Sequence, residues 1–246
     1  MNQSYLELMQ KELSKEESKL IYSVASDLSP GGGKRSILLI GKDRSANQVT
    51  NGIAKSLLER NSNYLWIDID GRTCKSPNSF LSCMARNLRA GSSVNAKDLG
   101  LFAREMGKLL TPFSAQTNSD NGQSGADRNP TMEKAFNLWE QHFKINEKKD
   151  TFLTPVFCFS NLNDFSDEML AWMTAELNSS LRKTNAFKNT RFVFASPSPD
   201  KRIADFFNRF GFEKILRYII PTAKKQTQNP VAVVQAKKEP RTKELK

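Results

Sequence analysis

Eight residues, Gly41-Lys42-Asp43-Arg44-Ser45-Ala46-Asn47-Gln48, carry the spacing of a phosphate-binding loop. A working loop reads G-x-x-x-x-G-K-[ST] and joins a buried strand to a helix. Its second glycine lets backbone N–H groups approach the phosphates, its lysine reaches the β- and γ-phosphates, and its hydroxyl holds Mg²⁺. Counted from Gly41, those three places hold Ala46, Asn47 and Gln48. The frame is kept, whereas the cation and the metal ligand are not. Either a nucleotide-binding fold has lost its chemistry here, or the likeness is accidental. Lys42 and Arg44 could meet phosphate from unusual places in the loop, although a solvated loop charge is the plainer reading. Gly41 also has a plainer reading, as a residue that ends a strand before a turn.

Other chemistry is thinly represented. Gly33-Lys34-Arg35-Ser36 imitates the end of a phosphate loop but precedes the strand Ile37–Ile40 instead of following it, so the glycines before it read as a connector. Asp68 and Asp70 are two apart on a strand and share a face. Two acids on one face could hold a metal, but no histidine or third acid stands close in sequence, and no metal site or cofactor is expected. His142 is the only histidine, on a predicted helix, which argues against Ser-His-Asp and Cys-His chemistry. Cys74, Cys83 and Cys158 form an odd set without C-x-x-C, which fits a reducing, intracellular compartment (cytoplasmic or nuclear) and argues against zinc.

The elements that must position these residues alternate. Residues 1–28 read as a charged N-terminal helix and 29–35 as a glycine-rich connector. Ile37–Ile40 is a continuous apolar strand followed by a helix over Gln48–Arg60, and Tyr64–Asp70 is the next strand. Helices are predicted over Ser79–Arg89, Ala96–Leu110 and Thr131–Asn146, with a polar flexible loop at 114–129. Thr154–Phe159 and Arg191–Ala195 are buried strands, Ser166–Lys183 and Lys201–Phe210 are helices, and Lys214–Ile220 is a last strand that Pro221 stops. Five short apolar strands separated by helices predict an α/β, three-layer domain over 36–221, with a parallel sheet covered on both faces. The aromatic residues Phe206, Phe207, Phe210 and Phe212, with Trp172 and Met173, read as core.

The strand ends can be compared with the needs of ATP hydrolysis. After the third strand a hydrolysing enzyme places acids that hold Mg²⁺ and activate water. Here Ser160 and Asn161 stand there, and Asp164 comes several residues late. The fourth strand ends in Ser196, a polar residue at the place of a phosphate sensor. The run Arg209-Phe210-Gly211 to Pro221 is similar to an arginine–strand–proline ending. With these elements the chain resembles a P-loop ATPase of the AAA+/STAND kind over roughly Arg35 to Pro221. The resemblance implies sheet order 5-1-4-3-2 and a role for Arg209 toward a neighbouring subunit's nucleotide. AAA+ proteins add a helical lid after the fifth strand; here a basic segment follows.

The chain of 246 residues carries a net charge of +11, with 26% charged and 38% hydrophobic residues. Residues 222–246, read as a disordered tail, contribute Lys224, Lys225, Lys237, Lys238, Arg241, Lys243 and Lys246 against Glu239 and Glu244, five of the eleven net charges. That field favours polyanions. No apolar run reaches the roughly 18–20 residues of a membrane helix, and the charged N-terminus lacks a secretory h-region. Three functions follow as expectations. The first is a non-catalytic pseudo-ATPase subunit docking on a protein partner such as an active ATPase. The second is a nucleic-acid-binding factor acting through its tail and core cations. The third is an NTPase using Lys42 or Arg44.

Overall fold

The computed structural model describes residues 14–29, 36–41, 43–60, 63–91, 94–110, 132–146, 151–179, 190–210 and 215–221. The glycine-rich connector at 30–35, the loop at 114–129 and the basic tail from 222 therefore lie outside the described residues, as do residues 1–13 of the N-terminal helix.

The strands are β1 Ser36–Ile40, β2 Tyr64–Asp70, β3 Leu88–Ala90, β4 Lys144–Asn146, β5 Thr151–Phe152, β6 Thr154–Ser160, β7 Arg191–Ser196 and β8 Leu216–Ile219. The helices are α1 Lys15–Leu28, α2 Asp43–Arg60, α3 Pro77–Arg86, α4 Ala96–Leu110, α5 Met132–His142, α6 Asp167–Trp172 and α7 Lys201–Phe210. A π-helical turn, Met173–Leu177, prolongs α6. The main sheet has six strands in the order β3-β2-β6-β7-β1-β8, and β4 and β5 form a separate two-stranded ribbon. All pairings in the main sheet are parallel except that of β2 with β3.

The sheet thus departs from the expected five parallel strands in count and in full order. Its extra member, β3, is antiparallel and occupies the edge beside β2. The predicted helix over Ser79–Arg89 stops early because tertiary partners claim its end. Asn87 donates its side-chain amide to the Asp68 carbonyl, and Asp68 N–H donates to the Asn87 carbonyl. Arg89 then ion-pairs with Asp68, lies over the Trp66 ring and donates to Asn51. These contacts outweigh a last helical turn, whose propensity is worth only tenths of a kcal/mol per residue. The helix predicted over Thr131–Asn146 is also shortened. It ends at His142, Phe143 is buried, and the next residues pair in the β4–β5 ribbon.

Helices cover both faces of the sheet. α1 and α2 bury Ile21, Val24, Leu28, Val49, Ile53 and Leu57 against one face. The remaining five helices pack on the other, around phenylalanines of β6 and β7. There the F-x-F pattern of each strand sends both rings to one side, and the register pairs Phe157 with Phe192 and Phe159 with Phe194. These pairs stack with centroids 6.0 Å and 5.2 Å apart. Phe206, Phe207 and Phe210 of α7 close the stack edge-on.

α1 starts with a capping box. The Ser14 hydroxyl accepts from Glu17 N–H, and the Glu17 carboxylate accepts from Ser14 N–H. Its C-terminal carbonyl, that of Leu28, accepts from the buried Arg191 guanidinium at 3.1 Å and from the Tyr64 hydroxyl at 3.2 Å. A cation at a helix C-terminus also complements the dipole. The helix is thereby fastened to β7 and β2 and shares one core with β1 and α2. His142, at the end of α5, is half-buried and bonded to Glu105 at 2.9 Å.

Candidate functional site

Open parallel sheets bind ligands at the carboxyl ends of their strands, and the chain's candidate residues gather there. Gly41 follows β1, and its N–H donates to the Ser196 carbonyl at 3.1 Å. Its φ is not in the left-handed region. What demands glycine is space, because a Cβ here would lie 2.7 Å from Cβ of Ile220. Ile220 is held at that point by its own N–H, which donates to the Ile40 carbonyl at 2.8 Å.

α2 begins at Asp43. The places that would wrap a phosphate in an open loop therefore already form the first helical turn, with a single residue between Gly41 and the helix. Lys42 lies outside the described residues, and so does the side chain of Arg44. Ala46 is buried in the core beneath α1 and α2, while Asn47 and Gln48 are half-buried. The Asn47 carbonyl accepts from the Thr50 hydroxyl.

At the next strand ends the polar groups are bonded to one another. Ser160 closes β6, and its carbonyl accepts from Gly71 N–H at 3.0 Å. Asn161 is buried and adopts a left-handed backbone, φ 50° and ψ 50°, which asparagine tolerates better than most residues. The turn aims its amide sideways, and it donates to Asp70 at 2.8 Å. The same carboxylate takes the Arg72 guanidinium at 3.0 Å and Arg72 N–H at 2.9 Å. Lys75 donates to the carbonyls of Gly71 and Asp164 at 2.7 Å and 2.8 Å, tying the turn after β2 to the turn after β6.

Ser196, fully buried at the end of β7, bonds to the side-chain carbonyl of Asn163, whose amide donates to the Ser198 carbonyl. Arg202 of α7 ion-pairs with Asp167 and Asp200 and donates to the Asn163 carbonyl. Arg209 stands apart, exposed on the last turn of α7. It makes no ion pair with the described residues and lines a shallow groove of about 270 Å³ between α6 and α7 with Asp205, Thr174 and Leu170. Lys224, Lys225, Lys237, Lys238, Arg241 and Lys243 lie outside the described residues.

Asp68 and Asp70 share a face but serve separate partners. Asp68 takes Arg89 and the Trp66 indole N–H, the latter at 2.8 Å. Among the described residues no cluster of three metal-binding side chains exists. Sequence reasoning missed Arg72, Lys75 and Asn163 as rim residues. The only local signal was Asp70-Gly71-Arg72, a turn-forming glycine between opposite charges directly after a strand.

Partial burial alone would raise the Asp70 carboxyl. The bonds from Arg72 and Asn161 outweigh it and hold the group below its ordinary value. A carboxylate with a depressed folded pKa stabilises the fold above its unfolded value, about 3.9, and loses that contribution as pH falls through the lower folded value. Asp70→Asn is therefore expected to lower stability modestly at neutral pH and to leave it unchanged at the acid end of that window. Urea midpoints measured from neutral pH down to the acid limit check this. The effect stays small because the pair is largely solvated.

No family model matches the chain, and no curated protein matches it. Solved structures do match in three dimensions. A chain in the structure of Drosophila ORC bound to poly(dA/dT) DNA and Cdc6 superposes with a TM-score of 0.52 at 7% identity, over 89% of this chain and 31% of that one. The Drosophila ORC structure with AT-rich DNA and Cdc6 gives 0.51 at 6% identity, over the same shares of the two chains. Cdc6p from Pyrobaculum aerophilum gives 0.47 at 14% identity, over 85% and 46%. The fold is that of an AAA+ P-loop ATPase. In the main sheet β8, β1, β7, β6 and β2 are the parallel strands, and β3 is added at the edge. The chain spans about a third of the length of the ORC chains that it matches. Among the described residues no helix is long and apolar enough to cross a membrane.

Proposed function

We propose that the chain is a non-catalytic AAA+-like subunit that acts by docking on another protein in a nucleic-acid-associated assembly. The observation that carries this reading is the rim of strand ends, where the polar groups are used up by one another. Hydrolysis needs acids free to hold Mg²⁺ and to orient water, and a backbone loop open to phosphate. Asn161 stands at the acid position with its amide on Asp70, and Ser196 has its hydroxyl on Asn163. Ala46 is core, and α2 begins at Asp43, close behind Gly41. A magnesium nucleotide does not fit these described groups, so no hydrolytic step is assigned to the chain. Such a subunit keeps a rigid sheet and exposed faces for a partner, an active ATPase being the preferred one, and Arg209 beside its groove is the candidate contact.

A second reading is favoured by the net charge of +11 and by the DNA named in the ORC structures. It is a nucleic-acid binder whose contacts come from the basic residues after Pro221 and from core cations. Its binding would follow the backbone and fall steeply with salt.

Thermal melting with and without millimolar Mg·ATP and Mg·GTP, on protein stripped of nucleic acid, tests the first reading. No shift is expected. A ligand at about a hundred times its dissociation constant would add about 2.7 kcal/mol, and a shift of that order would mean that the loop at Gly41 still holds a nucleotide and would direct attention to Lys42 and Arg44; ATP or GTP hydrolysis by such protein would overturn the non-catalytic reading. Retention of a protein partner at moderate salt supports docking. Binding of polynucleotide that disappears when residues 222–246 are removed supports the second reading.

A further inference from the structure

We propose that the open edge of β8 is a docking site for the chain's own segment Val231-Ala232-Val233-Val234, which pairs with it antiparallel and holds the basic residues that follow beside the sheet. β8 is the last strand in the sheet order, with β1 on one side only. Ile220 N–H donates to the Ile40 carbonyl at 2.8 Å. Successive residues of a strand turn their backbone groups to opposite sides. Tyr218 therefore faces β1 with Ile220, whereas Arg217 and Ile219 turn N–H and C=O outward, where no described strand takes them. Such an edge is a template for one more strand. The side chains mark the same place. Leu216, Tyr218 and Ile220 belong to the core beneath α1 and α2. Arg217 and Ile219 lie on the other face, both exposed, and Ile219 at 78% is the most exposed large hydrophobic residue among the described ones.

After Pro221 the sequence has one run of consecutive apolar residues, Val231-Ala232-Val233-Val234, in an otherwise polar and basic segment. Its valines are β-branched and suit a pleated, half-buried strand. Pro230 precedes the run, a residue tolerated at the first position of a strand, and Lys237 and Lys238 follow it, charges that keep an outer edge from recruiting further chains. The segment is too poor in apolar residues to fold alone. The edge of β8 offers it what it lacks, hydrogen-bond partners and an uncovered isoleucine. A parallel strand would need a long crossover, whereas an antiparallel return needs only a loop, and residues 220–230 are of ordinary loop length. Pairing Ile219 with Val231 and Arg217 with Val233 lays Val231 against the exposed isoleucine. It also sets Ala232, the smallest of the four, opposite Tyr218. Lys237, Lys238 and Arg241 would then leave the sheet from a fixed place at the β8 edge.

Amide hydrogen exchange of the full-length protein, read residue by residue by NMR, tests the pairing. The Arg217 and Ile219 amides are expected to exchange about tenfold or more slowly in the unaltered chain than in Val233→Pro, which lacks the N–H that bonds the Arg217 carbonyl. Val231→Asp, which sets a charge against Ile219, should lose the same protection, and Val233→Ile should keep it. The Ile220 amide, held by the Ile40 carbonyl, should stay slow in every variant and so reports that each has folded. Fast exchange at Arg217 and Ile219 in the unaltered chain would overturn the proposal, and so would protection that neither Val233→Pro nor Val231→Asp lowers. Protection that rises with protein concentration would give the edge to a second copy and overturn it as well. The unaltered chain alone can refute the pairing even if a variant does not fold.

Discussion

Phe194→Ala is expected to cost about 3–5 kcal/mol of stability, the range for emptying a buried aromatic site. Phe194 is 1% exposed in the middle of β7. Its ring stacks on Phe159 at 5.2 Å and meets Phe207 edge-on at 5.0 Å and Phe206 at 6.2 Å. It thus joins the central strands to α7, and alanine would leave a cavity bounded by rings that cannot collapse into it without giving up their own contacts. The measurement is urea unfolding, where the midpoint should fall with the slope m unchanged. In a domain of this size each kcal/mol moves the melting temperature by roughly 2–4 °C. A loss under about 1 kcal/mol, the scale of an exposed site, would show that the phenylalanine stack is not the core of the fold.

Gly71→Ala should destabilise by about 1–3 kcal/mol, the usual cost of forcing extra volume into a packed site. A Cβ on Gly71 would lie 2.4 Å from the Asn161 carbonyl oxygen and 2.8 Å from the Phe165 ring. The first of these is backbone and cannot swing aside. Relief requires β2 and β6 to part at their ends, which stretches the Gly71–Ser160 bond and the Asn161–Asp70 bond that close the rim. Gly100→Ala, on α4, is the control of opposite sign. Nothing lies within 4 Å of its added Cβ, and alanine in an open helical position gains about 0.4–1 kcal/mol. Urea midpoints of the two variants, compared side by side, separate the close approach at Gly71 from a general effect of replacing glycine. Equal and small effects would remove Gly71 from the account of the rim.

Much of the AAA+ architecture is legible in the sequence because it is written in short range. The runs Ile37–Ile40, Val156–Phe159 and Phe192–Ala195 are continuous apolar stretches, and only strands buried on both faces need that pattern. The alternation in Phe157-Cys158-Phe159 and Phe192-Val193-Phe194 sends the rings to one face, and the structure packs α7 there. β3 could not be read in this way. Leu88-Arg89-Ala90 continues a helical pattern locally, and what makes it a strand is the free edge of β2 and the acid of Asp68.

The sequence by itself determined five of the strands, their apolar faces, the glycine at the end of β1 and the absence of lysine and hydroxyl behind it, since each depends only on residue type and spacing. Tertiary structure alone decided what those residues do. Gly41 is required by Ile220, which is far along the chain, and Asn161 stands at an expected acid position but spends its amide on Asp70, 91 residues earlier. Arg191 reads as the first residue of a strand, and only the docked α1 makes it a cap for the Leu28 carbonyl. The physical reason is that a strand or helix face is fixed by neighbours in sequence, whereas a polar side chain is assigned its role by whichever partner the folded backbone brings within hydrogen-bonding distance. Burial makes that partner obligatory.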